Sequence, residues 1–164
     1  NIGKARINGA ELAGRYRISD AFALRANYTF TDSEQLGGID KGLPLMQSAK
    51  HMANATVDWT ATDRFSMQLI AEARSRRYRG SRDANGAPRY YKDYEVLHLA
   101  AQYRFSDAVS LSARINNLLD QDFTSFQTVF TQNPTSGAYT ATYLDDYNNK
   151  DKARNLWLSL NIRF

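Results

Sequence analysis

Arginine and tyrosine crowd one stretch of this 164-residue chain. Arg74, Arg76, Arg77, Arg79 and Arg82 surround Tyr78, and Tyr90 and Tyr91 follow shortly after. Guanidinium groups draw anions by charge, and aromatic rings stack on flat or cationic groups. Arg74, Arg76, Tyr78, Arg79, Arg82, Tyr90 and Tyr91 are therefore the candidate ligand contacts, suited to an anionic ligand. The bland alternative is a set of solvated loop arginines, or arginines that hold lipopolysaccharide headgroups. Other chemistries have little to work with. The chain has no cysteine, which removes disulfides, thiolate metal sites and Cys nucleophiles. Its two histidines, His51 and His98, follow no Ser motif of recognisable geometry, so no catalytic residue, resident metal or covalent cofactor is expected and the chain is read as no enzyme. Asp145 and Asp146 form an acidic pair that a cation or plain solvent would satisfy, and solvent is the simpler reading. A net charge of +4 is too small an excess to imply a nucleic-acid partner.

The elements that must position these residues have a period of two. From Asn155 to Phe164 the even positions are Leu156, Leu158, Leu160, Ile162 and Phe164, and the odd ones are polar except Trp157. A strand places such a set on one face, whereas a helix would scatter it. Six more segments alternate likewise: 10–18, 22–30, 53–59, 65–74, 97–105 and 109–116. In these cores Glu11, Arg15, Arg17, Arg25, Asp58, Glu72, Arg74, Arg104, Arg114 and Arg163 all share the polar parity. One face of every strand is thus free of charge, and a charge at mid-membrane on a lipid face costs roughly 2–4 kcal/mol. The apolar face is rich in Ala, whereas a packed soluble core would carry bulkier side chains.

Short and long connections alternate. Ser19 to Ala21, Ala61 to Asp63 and Ser106 to Ala108 are short; 31–50, 80–93 and 119–153 are long and hold all three prolines. One plain end and one elaborate end is the anatomy of an outer-membrane barrel. Aromatic residues near strand ends (Tyr16, Phe22, Phe30, Trp59, Phe65, Phe105, Phe164) would form its interfacial girdles. Seven strands are an odd number, and lipid cannot satisfy open edges. Either an eighth strand lies in 119–153, where Phe126 and Tyr139 permit a local hairpin, or the chain is the tail of a larger barrel. The tail reading fits the odd count better.

Several stretches resemble the C-terminal region of TonB-dependent outer-membrane receptors. They are NIGKARINGAEL at the start, GLPLMQSAKHMANATVDW after the first long connection, RINNLLDQDF at 114–123, and the terminal WLSLNIRF. Gly9 to Glu11, Asn117 to Asp120 and the terminal aromatic fall at matching places, and the resemblance spans the whole chain. The stretches Ala49 to His51 and Arg74 to Arg79 look most like receptors for ferric catecholate siderophores and colicins. The fold so implied is all-β: an antiparallel up-and-down transmembrane β-barrel, residues 1–164 being about the last seven strands of a plugged barrel of about 22 strands.

The resemblance further implies a bacterial outer-membrane location and uptake of a ferric siderophore as transported ligand. Its implied partners are outer-membrane lipid and lipopolysaccharide, an N-terminal plug domain outside this chain, and the TonB energy-coupling protein. Trp157, Leu158, Leu160, Ile162 and Phe164 would be the signal read by the barrel-assembly machinery. Arg15, Arg17, Arg25, Arg104, Arg114 and Arg163, mostly in the short-turn half, would pair with plug carboxylates or with each other. His98 is read as a hydrogen-bonded wall residue and His51 as a loop cap. The competing reading is a small structural or adhesive outer-membrane barrel without transport.

Overall fold

The computed structural model describes residues 3–122, 126–145 and 153–163. The described residues contain eleven strands: β1 (Ala5–Arg17), β2 (Phe22–Gln35), β3 (His51–Thr60), β4 (Phe65–Arg74), β5 (Arg77–Arg82), β6 (Pro88–Tyr91), β7 (Tyr94–Arg104), β8 (Val109–Asn116), β9 (Phe126–Gln132), β10 (Tyr139–Asp145) and β11 (Asn155–Ile162). Seven form one antiparallel sheet in the order β1-β2-β3-β4-β7-β8-β11. These are the seven alternating segments, joined as neighbours in sequence order. The other four form two separate hairpins, β5–β6 and β9–β10, within the second and third long connections. The third connection therefore holds a hairpin, but neither of its strands joins the main sheet. β1 and β11 are the sheet's edges.

The three short turns share one device. Ser19 Oγ accepts from the backbone N–H of Ala21 and Phe22 at 3.2 and 3.1 Å. Thr62 Oγ1 does the same for Arg64 and Phe65 at 3.2 and 3.0 Å. Ser106 Oγ accepts from Ala108 and Val109 at 3.2 and 3.1 Å. A hydroxyl at this place bonds its own turn and fixes it, which explains the recurring Ser-Asp-Ala.

The register carries the two-faced pattern across the sheet. Leu24, Val57, Leu69, Leu99, Ile115 and Leu156 line up in one row on the apolar face. At the short-turn end this face ends in a chain of rings. Phe22 stacks on Trp59 at 5.9 Å, Trp59 meets Phe65 at 6.2 Å, Phe65 meets Tyr103 at 6.4 Å, and Tyr103 meets Phe105 at 4.9 Å. At the long-loop end Tyr28 Oη lies 2.7 Å from His51 Nδ1, and Phe30 packs on the His51 ring at 5.6 Å. His51 so belongs to an upper aromatic belt as well as opening β3. From Phe22 to Phe30 is about 26 Å along the strand at about 3.3 Å per residue, close to the apolar band of a barrel, about 25 Å tall.

β1 and β2 run past this band. There the outward parity carries charges in cross-strand pairs, Arg6 with Glu34 and Lys50 with Asp32. Gly9 lies in this upper part of β1, where an added Cβ would stand 2.7 Å from Phe30 O. The two strands therefore approach too closely there for a side chain.

The polar face is held by its own bonds. Arg25 donates to both oxygens of Asp58 at 2.9 and 2.8 Å, and Gln68 Nε2 donates to Asp58 Oδ1 at 2.8 Å. Among the described residues the buried ones are few and gather at the long-loop end: Gln35, Ala49, Arg77, Tyr78, Tyr94, Val96, His98, Asn116 and Asn117. Fully buried Asn117, directly after β8, has a positive φ of 49°. Its side chain exchanges bonds with the Gln121 backbone at 2.9 and 3.0 Å, and its N–H donates to His98 Nδ1 at 3.3 Å. Asp120 Oδ1 then accepts from Arg154 N at 3.0 Å, just before β11. The Asn-Leu-Leu-Asp stretch is thus a knot that joins the end of β8 to the start of β11.

Candidate functional site

β4 leaves the main sheet at Arg74, whose ladder partners are Met52 and Tyr94. The chain then rises into the β5–β6 hairpin. Its turn is closed by Asp83, whose Oδ1 accepts from Asn85 and Ala87 N–H, both at 2.9 Å. The hairpin pairs Arg77 with Tyr91 and Tyr78 with Tyr90.

This pairing builds a rack of guanidiniums and rings. Arg76 lies over Tyr90 at 4.7 Å, Arg79 over Tyr91 at 5.1 Å, and Arg77 over Tyr91 and Tyr94 at 5.3 and 5.5 Å. Stacking on a ring face does not neutralise a guanidinium's charge, which suits attraction of a flat anion. Arg76 is exposed, and Arg74, Arg79, Tyr90 and Tyr91 are half-buried, so an incoming group can meet them.

Tyr78, Arg77 and Arg82 are placed differently. Tyr78 is 1% exposed, with its ring 5.8 Å from that of Tyr90. Burial, and secondarily the Asp40 carboxylate, pushes its phenol above the ordinary pKa. Arg77 is also buried, and its Nε and Nη2 have no hydrogen-bond partner. Arg82 donates to Asp40 Oδ1 at 3.1 Å, Ile39 O at 3.3 Å and Gly86 O at 3.0 Å. It fastens the first long connection to the hairpin turn.

That connection docks on β5 along its length. Gln47 N donates to Tyr78 O at 2.9 Å, Ala49 bridges Arg77, and Met46 covers Gly80, where a Cβ would come within 2.5 Å of its Sδ. Residue types along the chain pointed to the arginines and tyrosines of the hairpin. They did not point to Asp40, Met46 or Tyr94, which position them from other elements. Local spacing offers no sign of such contacts, because Asp40 and Met46 lie on the first long connection and Tyr94 opens β7.

The candidate assembly residues Trp157, Leu158, Leu160 and Ile162 lie on edge strand β11 and are exposed. The leucines and Ile162 share the apolar face. Trp157 points to the polar face opposite Arg114, its Nε1 donating to Asn155 Oδ1 at 2.8 Å. Phe164 lies outside the described residues, as does Asp146. His98 is buried on the polar face, its Nε2 4.0 Å from Glu72 Oε1. Among the described residues no group of His, Asp and Glu has the arrangement to hold a metal ion.

Comparison with known proteins agrees with this architecture. Over all 164 residues the chain is 27% identical to the iron-regulated outer membrane virulence protein of Vibrio cholerae, and spans 22% of that protein's length. It is 28% identical over 127 residues to the ferric enterobactin receptor of Pseudomonas aeruginosa, covering 74% of this chain and 17% of the relative. The crystal structure of the ferric-catecholate import receptor Fiu of Escherichia coli K12 superposes with a TM-score of 0.70 at 21% identity, over 98% of this chain and 21% of that one. The chain thus spans about a fifth of the length of the relatives it matches. The family described as TonB dependent receptor-like, beta-barrel matches residues 1–118. With its apolar band, paired aromatic belts and polar inner face, the chain belongs to the TonB-dependent receptor β-barrel family of the outer membrane.

Proposed function

We propose that residues 1–164 are part of the barrel of a receptor that takes up an iron–siderophore complex, most simply one of catecholate type. The observation that carries this reading is the rack of Arg76, Arg77 and Arg79 on Tyr90, Tyr91 and Tyr94, set above the polar face at the long-loop end. A ferric catecholate is anionic and flat at its rim. The guanidiniums would attract it, Arg76 from an exposed position, and the rings would stack on it. In this reading Arg74, Arg76, Arg79, Tyr90 and Tyr91 touch the ligand. Tyr78 and Arg82 hold the hairpin and the first connection in place around it.

The two unpaired sheet edges support membership of a larger closed barrel, since lipid leaves unpaired backbone groups unsatisfied. A barrel of about 22 strands filled by a plug fits that requirement. The plug, the TonB protein, lipopolysaccharide and the assembly machinery reading β11 are partners in the same proposal. The test is binding and uptake of labelled ferric enterobactin by the full-length receptor with Arg76 and Arg79 both changed to Ala. About a tenfold weaker Kd, or about 1.4 kcal/mol, is expected. Unchanged affinity would remove the rack from the site.

A further inference from the structure

His98 is a buried titratable group that ligand capture at the mouth does not use. It is 4% exposed on the polar face of β7, opposite Ile70 of β4. Its Nδ1 accepts from Asn117 N–H at 3.3 Å, so the neutral ring carries its proton on Nε2. Nε2 lies 4.0 Å from Glu72 Oε1, beyond hydrogen-bond reach. Asn117 is wholly buried, so water cannot replace the acceptor its N–H finds in His98. This bond is the first link of the knot between β8 and β11. The next links are the Asn117 side chain on the Gln121 backbone, at 2.9 and 3.0 Å, and Arg154 N on Asp120 Oδ1, at 3.0 Å. Residues 117 and 154 are the two feet of the third long connection, which carries hairpin β9–β10.

We infer that His98 is an acid-operated release for this connection. Protonation turns both ring nitrogens into donors, so Nδ1 can no longer accept. Two N–H groups then face each other in a buried place, and the Asn117 N–H is left without a partner. The charged ring is drawn instead toward Glu72 through Nε2. The other charged or titratable groups around it come from every neighbouring element. Arg74 of β4 pairs with Tyr94 of β7 across the ladder, and Arg77 of β5 lies over the Tyr94 ring. Arg114 of β8 bonds Asn116, and Asp120 and Arg154 of the knot pair at 3.6 Å. The arginines oppose a new positive charge and Glu72 favours it. The closed knot therefore needs the neutral ring: it holds at neutral pH and loosens as pH falls.

The full-length receptor in a lipid bilayer tests this, with any cysteine outside this chain replaced. Single nitroxide labels are placed at exposed Leu119 in the knot and at exposed Asp107 in a short turn. Label mobility is compared at about pH 7.5 and about pH 5, on either side of the range in which histidines change charge. The mobile fraction at Leu119 should rise about fivefold in acid and fall again on return, with Asp107 unchanged. His98→Asn keeps an acceptor oxygen near the place of Nδ1 but does not titrate, so its Leu119 label should stay immobile at both pH values. His98→Leu has no acceptor, and its label should be mobile at both. An unresponsive parent, an equal response at Asp107, an acid response kept by His98→Asn or an immobile label in His98→Leu would each overturn the release.

Should the His98 variants fail to assemble, Glu72→Gln decides. Loss of the carboxylate should move the midpoint of the acid response roughly one pH unit lower. A midpoint that stays or rises would overturn the release.

Discussion

Arg82 Nη2 lies 3.1 Å from Asp40 Oδ1, tying the turn after β5 to the connection after β2. The pair closes over 42 residues of chain and is reinforced by Arg82's bonds to two backbone carbonyls. It is part-exposed, so its contribution is at most about 1 kcal/mol. Arg82→Ala should therefore loosen the connection without unfolding the barrel. Hydrogen exchange at Gln35 to Gln47 should quicken several-fold, while exchange in β3 and β4 stays as it was.

Two glycines of β1 should respond oppositely to substitution. A Cβ on Gly9 would meet the backbone oxygen of Phe30 at 2.7 Å, while one on Gly14 meets nothing within 4 Å. Backbone cannot swing aside as a long side chain can, so Gly9→Val should cost about 1–3 kcal/mol. Gly14→Ala should be neutral or slightly stabilising, because it restricts the unfolded chain. Thermal unfolding of the detergent-solubilised receptor, followed by loss of fast gel migration, compares the two.

Tyr78 supplies a pH dependence. Its folded pKa is raised, chiefly by burial and then by Asp40. The folded state thus holds this proton more tightly than the unfolded one. The stability tied to it is fully present below the ordinary tyrosine value of about 10 and is lost as pH rises through the folded pKa. An alkaline titration followed by tyrosinate absorbance should lose one late-ionising group in Tyr78→Phe. Docking of the first connection should be flat through neutral pH.

The wall was more legible in the sequence than the mouth. Strands β3, β4, β8 and β11 keep one parity free of charge because each lies almost wholly within the lipid band, where that parity must be apolar. β2 was legible only to Phe30. Beyond that residue Asp32 and Glu34 take the outward parity, paired with Lys50 and Arg6, and the ladder continues to Gln35 without a greasy row. β7 starts at Tyr94 for a similar reason: Glu95 faces outward at the band's upper rim, beside Ala73, while Val96 is buried on the other side. Hairpins β5–β6 and β9–β10 stand outside the band, so no lipid face imposes a period on them. The arginines and tyrosines of β5–β6 were visible as residue types. Burial of Tyr78 and use of Arg82 as a latch depend on a connection some forty residues upstream, which local pattern cannot register.

The alternation itself can be measured in β11. These 164 residues contain no cysteine, so spin labels can be placed one at a time through single cysteines at positions 156 to 161 of a full-length receptor in a lipid bilayer, with any cysteine outside this chain replaced. Oxygen, which concentrates in lipid, should collide most with labels at Leu156, Leu158 and Leu160. A water-soluble nickel chelate should favour Trp157, Ser159 and Asn161, giving two curves of period two in opposite phase. Curves in the reverse phase, or equal accessibility at all six positions, would contradict the account of this chain as a barrel wall.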